Sequence, residues 1–129
     1  MMRLLTISAL VLSSLLSAKA FSDAQPVHFM GCNFNEGKNM DDMMDYVDKW
    51  NKALGDEEGY TAWVMTPTFT SAPDTPDFVW VGAWESMSAM GQGMDAYMAN
   101  DKVAAVDSKE WPATCEMNTL WSSTNIREG

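Results

Sequence analysis

The chain has 129 residues, 47% of them hydrophobic, and eight basic side chains against 18 acidic ones give it a net charge of −10 at pH 7. So acidic a surface, with no basic patch to interrupt it, repels phosphate backbones and excludes nucleic acid as a partner. The acidity itself is accounted for by the solubility of an exported protein.

Residues 1–20, MMRLLTISALVLSSLLSAKA, place one early charge at Arg3 before an apolar run from Leu4 to Leu16 and end on small residues at Ala18 and Ala20. This is the pattern of a secretory signal peptide with cleavage before Phe21. The apolar run is shorter than the roughly 20 residues a bilayer-spanning helix needs. The expected product is therefore periplasmic or secreted, with no membrane attachment after cleavage. Removing 20 of 129 residues leaves residues 21–129, enough for one domain around a single core.

Residues 27–34, VHFMGCNF, form an apolar run of strand length that stops at the turn-like NEGKN. Asn39 then caps a helix on which Met40, Met43, Met44, Val47, Trp50 and Leu54 share one face, with acids in the first turn and Gly55 at its end. YTAWVMTPTF, residues 60–69, is a second strand, and Pro67 near its end marks it as an edge strand or as stopping there. DFVWVGAWE, residues 77–85, is a third. Ser86 caps a second helix carrying Met87, Met90, Met94, Tyr97 and Met98 on one face, weakened by Gly91 and Gly93. DKVAAVDSKEWPAT has no clear assignment, and CEMNTLWSST from Cys115 supplies the fourth strand.

The order βαββαβ, with right-handed crossovers, predicts an α+β ferredoxin-like fold: a four-stranded antiparallel sheet with two helices on one face. The first and third strands are central and the fourth lies beside the first. Cys32 and Cys115, 83 positions apart, then fall on neighbouring strands, and in an oxidising compartment they are expected to form a disulfide. Strand alternation through the cysteines puts Phe29, Gly31 and Asn33 on the opposite side, with Glu116, Asn118 and Leu120 of the fourth strand. On the third strand, Val79, Val81 and Ala83 suit close-packed helices. Phe78, Trp80 and Trp84 are accordingly expected on the helix-free face, where a second copy of the chain or a ligand would cover them.

A βαββαβ chain with apolar residues on both sheet faces resembles the dimeric α/β-barrel superfamily, which includes antibiotic-biosynthesis-monooxygenase-like proteins. The resemblance is architectural and covers residues 27–124. It implies a homodimer with sheets packed face to face, and a pocket in each subunit between the sheet and its helices or loops. Cofactor-independent members use a first-strand asparagine, a third-strand tryptophan and a histidine in the second half. Asn33 and Trp80 or Trp84 match the first two roles. His28, the chain's one histidine, lies at the start of the first strand, so the third role and haem ligation have no counterpart, and Glu116 becomes the candidate base.

The methionine stripes fit core packing better than a copper(I) site, and His28 lacks the companions a metal needs. GQG at 91–93 lies inside a helix, so it is no phosphate loop and is better used for close approach to the sheet or a ligand. G-x-S-x-G and H-E-x-x-H are both missing. No cofactor or metal is therefore implied. Two functions are left. One is a homodimeric binder of a small apolar or aromatic molecule on Phe78, Trp80 and Trp84, with Asn33, Glu116 and Asn118 as polar contacts and cofactor-free oxygenation as its catalytic form. The other is a non-catalytic homodimer or protein-interaction module.

Overall fold

In the computed structural model, which describes residues 24–127, the elements run β1 Gln25–Phe34, α1 Met40–Leu54, β2 Tyr60–Met65, β3 Phe78–Trp84, α2 Met87–Met98, α3 Asp101–Glu110 and β4 Ala113–Ser123. The signal-peptide segment 1–20 lies outside the described residues. Among those described, no helix is long and apolar enough to cross a membrane. The four strands form one antiparallel sheet in the order β2-β3-β1-β4, the ferredoxin-like α+β arrangement that the sequence predicts.

Local chemistry sets the helix boundaries. Asn39 closes a full capping box on α1: its side chain accepts the amides of Asp41 and Asp42, and the Asp42 carboxylate accepts the Asn39 amide. Gly55 ends the helix at a φ of 74°, which a side-chain-bearing residue rarely adopts. Ser86 caps α2 through the Ala89 amide.

The third helix is a correction to the two-helix expectation. Asn100 caps it by accepting the amides of Lys102 and Val103, and Val103 is fully buried while the rest of its first turn is exposed. So short an apolar face makes little periodic signal in the sequence. The α2 methionines are a second correction. Met87, Met94 and Met98 are 61%, 42% and 81% exposed and no α2 residue is buried, so these methionines sit at the rim of the fold instead of filling the core, and Tyr97 is the residue of this face that packs against it. On α1, Met43 is buried and Met44 is half-exposed.

The third correction concerns the sheet faces. Phe78, Trp80 and Trp84 are buried on the helix-covered side, where Trp80 meets Trp50 and Tyr46 of α1. Val79, Val81 and Ala83 face the helix-free side. The expectation assumed helices packed close to the strands, but here the space between layers is filled by rings. Gly82 makes room for one of them, because a Cβ there would lie 2.5 Å from the Tyr60 hydroxyl.

The register of β4 is a fourth correction. Cys32 pairs with Cys115 and Gly31 with Met117, so Glu116 is an extra residue at a bulge and the parity beyond it reverses. Asn118 and Leu120 join the helix side with His28 and Met30, while Met117 and Trp121 turn to the open side. There they join Trp63 and Met65 of β2, and these four side chains are 41% to 62% exposed.

The Cys32–Cys115 disulfide locks the central strand β1 to the edge strand β4 over a sequence separation of 83. In the chain-entropy model, closing a loop that long stabilises the fold by about 4 kcal/mol. Replacing both cysteines by alanine should therefore lower unfolding stability by roughly that amount. Urea unfolding of the two proteins checks this, and a loss under about 1 kcal/mol would mean that the strand pairing is self-sufficient.

Candidate functional site

A cavity of about 490 Å³ lies between the helix-facing side of the sheet and the three helices. Its sheet wall comprises His28, Met30, Tyr60, Trp80, Trp84 and Cys115. The helices supply Tyr46, Trp50 and Leu54 from α1, Gly93, Met94 and Tyr97 from α2, and Asp107 from α3, while Trp111 follows α3 and Glu57 precedes β2. Apolar walls, several aromatic rings and a few convergent polar groups are the usual make-up of a small-molecule site, and the volume falls in the range of such sites.

The rings hold one another in place. Trp80 packs edge-on against Trp50 at 5.3 Å and against Trp111 at 6.0 Å, and Tyr46 meets Trp111 at 4.9 Å. Their polar atoms are joined as well. The Trp80 indole N–H donates to the Tyr60 hydroxyl at 3.1 Å, and that of Trp50 donates to the Tyr97 hydroxyl at 3.2 Å. Asp107 is the shared acceptor: the Tyr46 hydroxyl donates to its Oδ1 at 2.7 Å and the Tyr97 hydroxyl to its Oδ2. One carboxylate thereby ties α1, α2 and α3 together around the cavity.

At the mouth α2 comes close to the sheet. A Cβ on Gly93 would lie 3.2 Å from both the Trp84 indole nitrogen and a Glu57 carboxylate oxygen. The expectation that the GQG glycines permit close approach is met at Gly93, whereas Gly91 faces open space.

The sequence-predicted residues separate into three groups. Trp80 and Trp84 line the cavity. Phe78 is fully buried behind the wall, against Phe34 at 5.0 Å and Trp111 at 6.4 Å, and Asn118 acts through His28, whose Nε2 lies 2.6 Å from the Asn118 Oδ1. Asn33 and Glu116 lie outside. The Asn33 Oδ1 accepts the Asp77 amide at 3.1 Å while the Asp77 carboxylate accepts the Phe34 amide at 2.8 Å, a reciprocal clamp between β1 and the start of β3. Glu116 is exposed on the β4 bulge.

Sequence reasoning did not single out Tyr46, Tyr60, Tyr97, Asp107 or Trp111. Asn100 followed by DKVAAVDSKE was the available signal for α3. It would have placed Asp107 one turn beyond Val103, on the buried side.

No protein-family model matches the sequence, and neither does any curated protein. Solved structures do resemble it. A hypothetical protein of Arabidopsis thaliana aligns with a TM-score of 0.57 at 10% identity, over 82% of this chain and 96% of its own. A protein of Shewanella loihica, provisionally named a monooxygenase, aligns at 0.51 with 11% identity over 81% and 98% of the two chains. A dimeric ferredoxin-like protein of unknown function from Thermobifida fusca aligns at 0.50 with 15% identity over 79% and 93%. The fold is thus ferredoxin-like, in agreement with the fold that the architectural resemblance drawn from the sequence implies.

Burial raises all three tyrosines of the chain, Tyr46, Tyr60 and Tyr97, above the ordinary phenol range. For Tyr46 and Tyr97 the hydrogen bond to Asp107 adds to the rise, because a phenolate would lose its acceptor and face the carboxylate's charge. A folded-state pKa above the unfolded one confers stability that is complete below about pH 10 and lost as pH rises. Phenolate absorbance near 295 nm should therefore appear only together with alkaline unfolding seen by circular dichroism. A separate tyrosine titration near pH 10 in the folded protein would contradict this packing.

Proposed function

We propose that the protein is an exported, homodimeric small-molecule-binding protein whose ligand, small and aromatic or apolar, occupies the cavity over Trp80 and Trp84. The observation that carries this reading is the cavity of about 490 Å³ walled by tyrosines and tryptophans that are already fixed by mutual packing and hydrogen bonds. Preformed walls cost little ordering on binding, so apolar area removed from water converts efficiently into affinity.

Support for the second copy comes from the opposite sheet face. Trp63, Met65, Met117 and Trp121 are exposed there beside Phe29, Val79 and Val81, a contiguous apolar surface of the kind soluble monomers avoid. The Thermobifida fusca protein of the same fold is dimeric, and sheet-to-sheet packing of two copies would bury this face. Export is supported by residues 1–20 and fits the disulfide.

Cofactor-free oxygenation is the catalytic form of the reading and requires a proton acceptor at the ligand. With Asn33 and Glu116 outside the cavity, the wall carboxylates Asp107 and Glu57 take that place. The competing reading, a protein-interaction module without a ligand, accounts for the open face but assigns no purpose to the cavity.

Tryptophan fluorescence of the purified protein, titrated with a library of aromatic metabolites, tests the site. At least one compound should quench it, and Gly93→Leu, which crowds Trp84 and Glu57 from α2, should weaken that binding by about tenfold or more at a stability cost of about 1–3 kcal/mol that still leaves a cooperative melt. Quenching that Gly93→Leu leaves untouched would move the ligand elsewhere. For the assembly, sedimentation should give a dimer, and Trp63→Glu, placing a charge on the open face, should give a folded monomer. A monomeric parent protein would remove the dimer from the proposal.

A further inference from the structure

We infer that the cavity selects an organic cation, a quaternary ammonium or protonated amine carrying an aromatic or alkyl group. This rests on the small-molecule reading of the same cavity and specifies the ligand's charge.

The first ground is which hydrogen-bonding groups are still free. The indole N–H groups of Trp50 and Trp80 are committed to tyrosine hydroxyls, and the hydroxyl protons of Tyr46 and Tyr97 are committed to Asp107. The electropositive edges of these rings are thus turned into the protein's own bonds. What they have left to offer a ligand is π-face, which carries the negative end of the ring quadrupole and attracts cations. Each Asp107 oxygen receives one hydrogen bond and can accept another. The Trp84 and Trp111 indole N–H groups and the Tyr60 hydroxyl proton are the side-chain donors of these rings not already given to another side chain, and none of them carries a charge.

The second ground is charge. Glu57 and Asp107 both line the cavity, no lysine or arginine does, and neither carboxylate has a salt-bridge partner among the described residues. A carboxylate taken partly out of water beside aromatic walls gains most from a ligand that brings the opposite charge. An anionic ligand would meet two negative groups with His28 alone on the other side. The net charge of −10 extends the preference beyond the site, since it draws cations toward the mouth and repels anions.

The test compares benzyltrimethylammonium with its neutral isostere neopentylbenzene by isothermal titration calorimetry and tryptophan quenching of the purified protein at low salt. The cation should bind about tenfold tighter or better, as a desolvated cation–π contact reinforced by carboxylates allows. Glu57→Gln should reduce the ratio several-fold while leaving neopentylbenzene affinity nearly unchanged; Asp107→Asn, which also gives up one tyrosine bond, should reduce the ratio several-fold whatever it does to neopentylbenzene. The Glu57 side chain makes no hydrogen bond or ion pair among the described residues, so its amide variant keeps the fold even if the Asp107 variant does not. Equal or weaker binding of the cation overturns the charge assignment and leaves the small-molecule reading intact. Failure of both probes, together with no quenching across the aromatic library, overturns both.

Discussion

The packing of Trp80 is the constraint on which the rest of the structure depends. Its ring stands on the central strand β3 and meets Trp50 and Tyr46 of α1 and Trp111 beyond α3, while its N–H is held by Tyr60. Rings of this size set the distance between the sheet and the helix layer. Interlocked edge to face, they cannot collapse onto one another, and the interval they prop open is the cavity. Large buried area and fixed geometry in the same side chains thus produce both the core and the void beside it.

Asp107 performs the complementary task. With the helices held off the sheet, α1 and α2 need a tie that does not pass through the strands, and the carboxylate provides one by accepting a phenol from each. Lys49 and Glu110 add a 2.7 Å ion pair between α1 and α3 at the surface, where solvent screens most of its worth. The same carboxylate that organises the helices is one of the two on the cavity wall. On the proposed reading structural and recognition roles meet there, so a change at Asp107 is felt in both.

The sheet is apolar on both sides, but for different purposes. Its helix side carries aromatic rings and polar atoms paired among themselves. Its open side carries Val79, Val81, Trp63 and Met65 with little polar chemistry, a composition that soluble monomers seldom leave contiguous and exposed. Clear separation of the two depends on the Glu116 bulge, which shifts Met117 and Trp121 to the open side and returns Asn118 to His28. Were Glu116 itself paired with Gly31 in a regular ladder, Asn118 would stand on the apolar face.

By itself the sequence determined the element order, the strand order, the Asn39, Gly55 and Ser86 helix boundaries and the pairing of Cys32 with Cys115. These follow from local periodicity, capping chemistry and the handedness of crossovers, all of which act over a few residues or through topology alone. Trp80 and Trp84 were legible as residues needing a cover, because large aromatics on a central strand must be covered by something. Which face covered them was decided only by tertiary structure. Alternation along β3 gives two sets of side chains but not the distance to the helix layer, and that distance depends on Trp50, Tyr46 and Trp111 arriving from elsewhere in the chain. Asp107 was hidden for a related reason: α3 has a single fully buried side chain, Val103, and its significance arises from two tyrosines 10 and 61 residues away that only the fold brings to it. Asn33 and Glu116 carried a plausible strand position, but one is spent on clamping Asp77 and the other sits on a bulge that no alternation rule foresees.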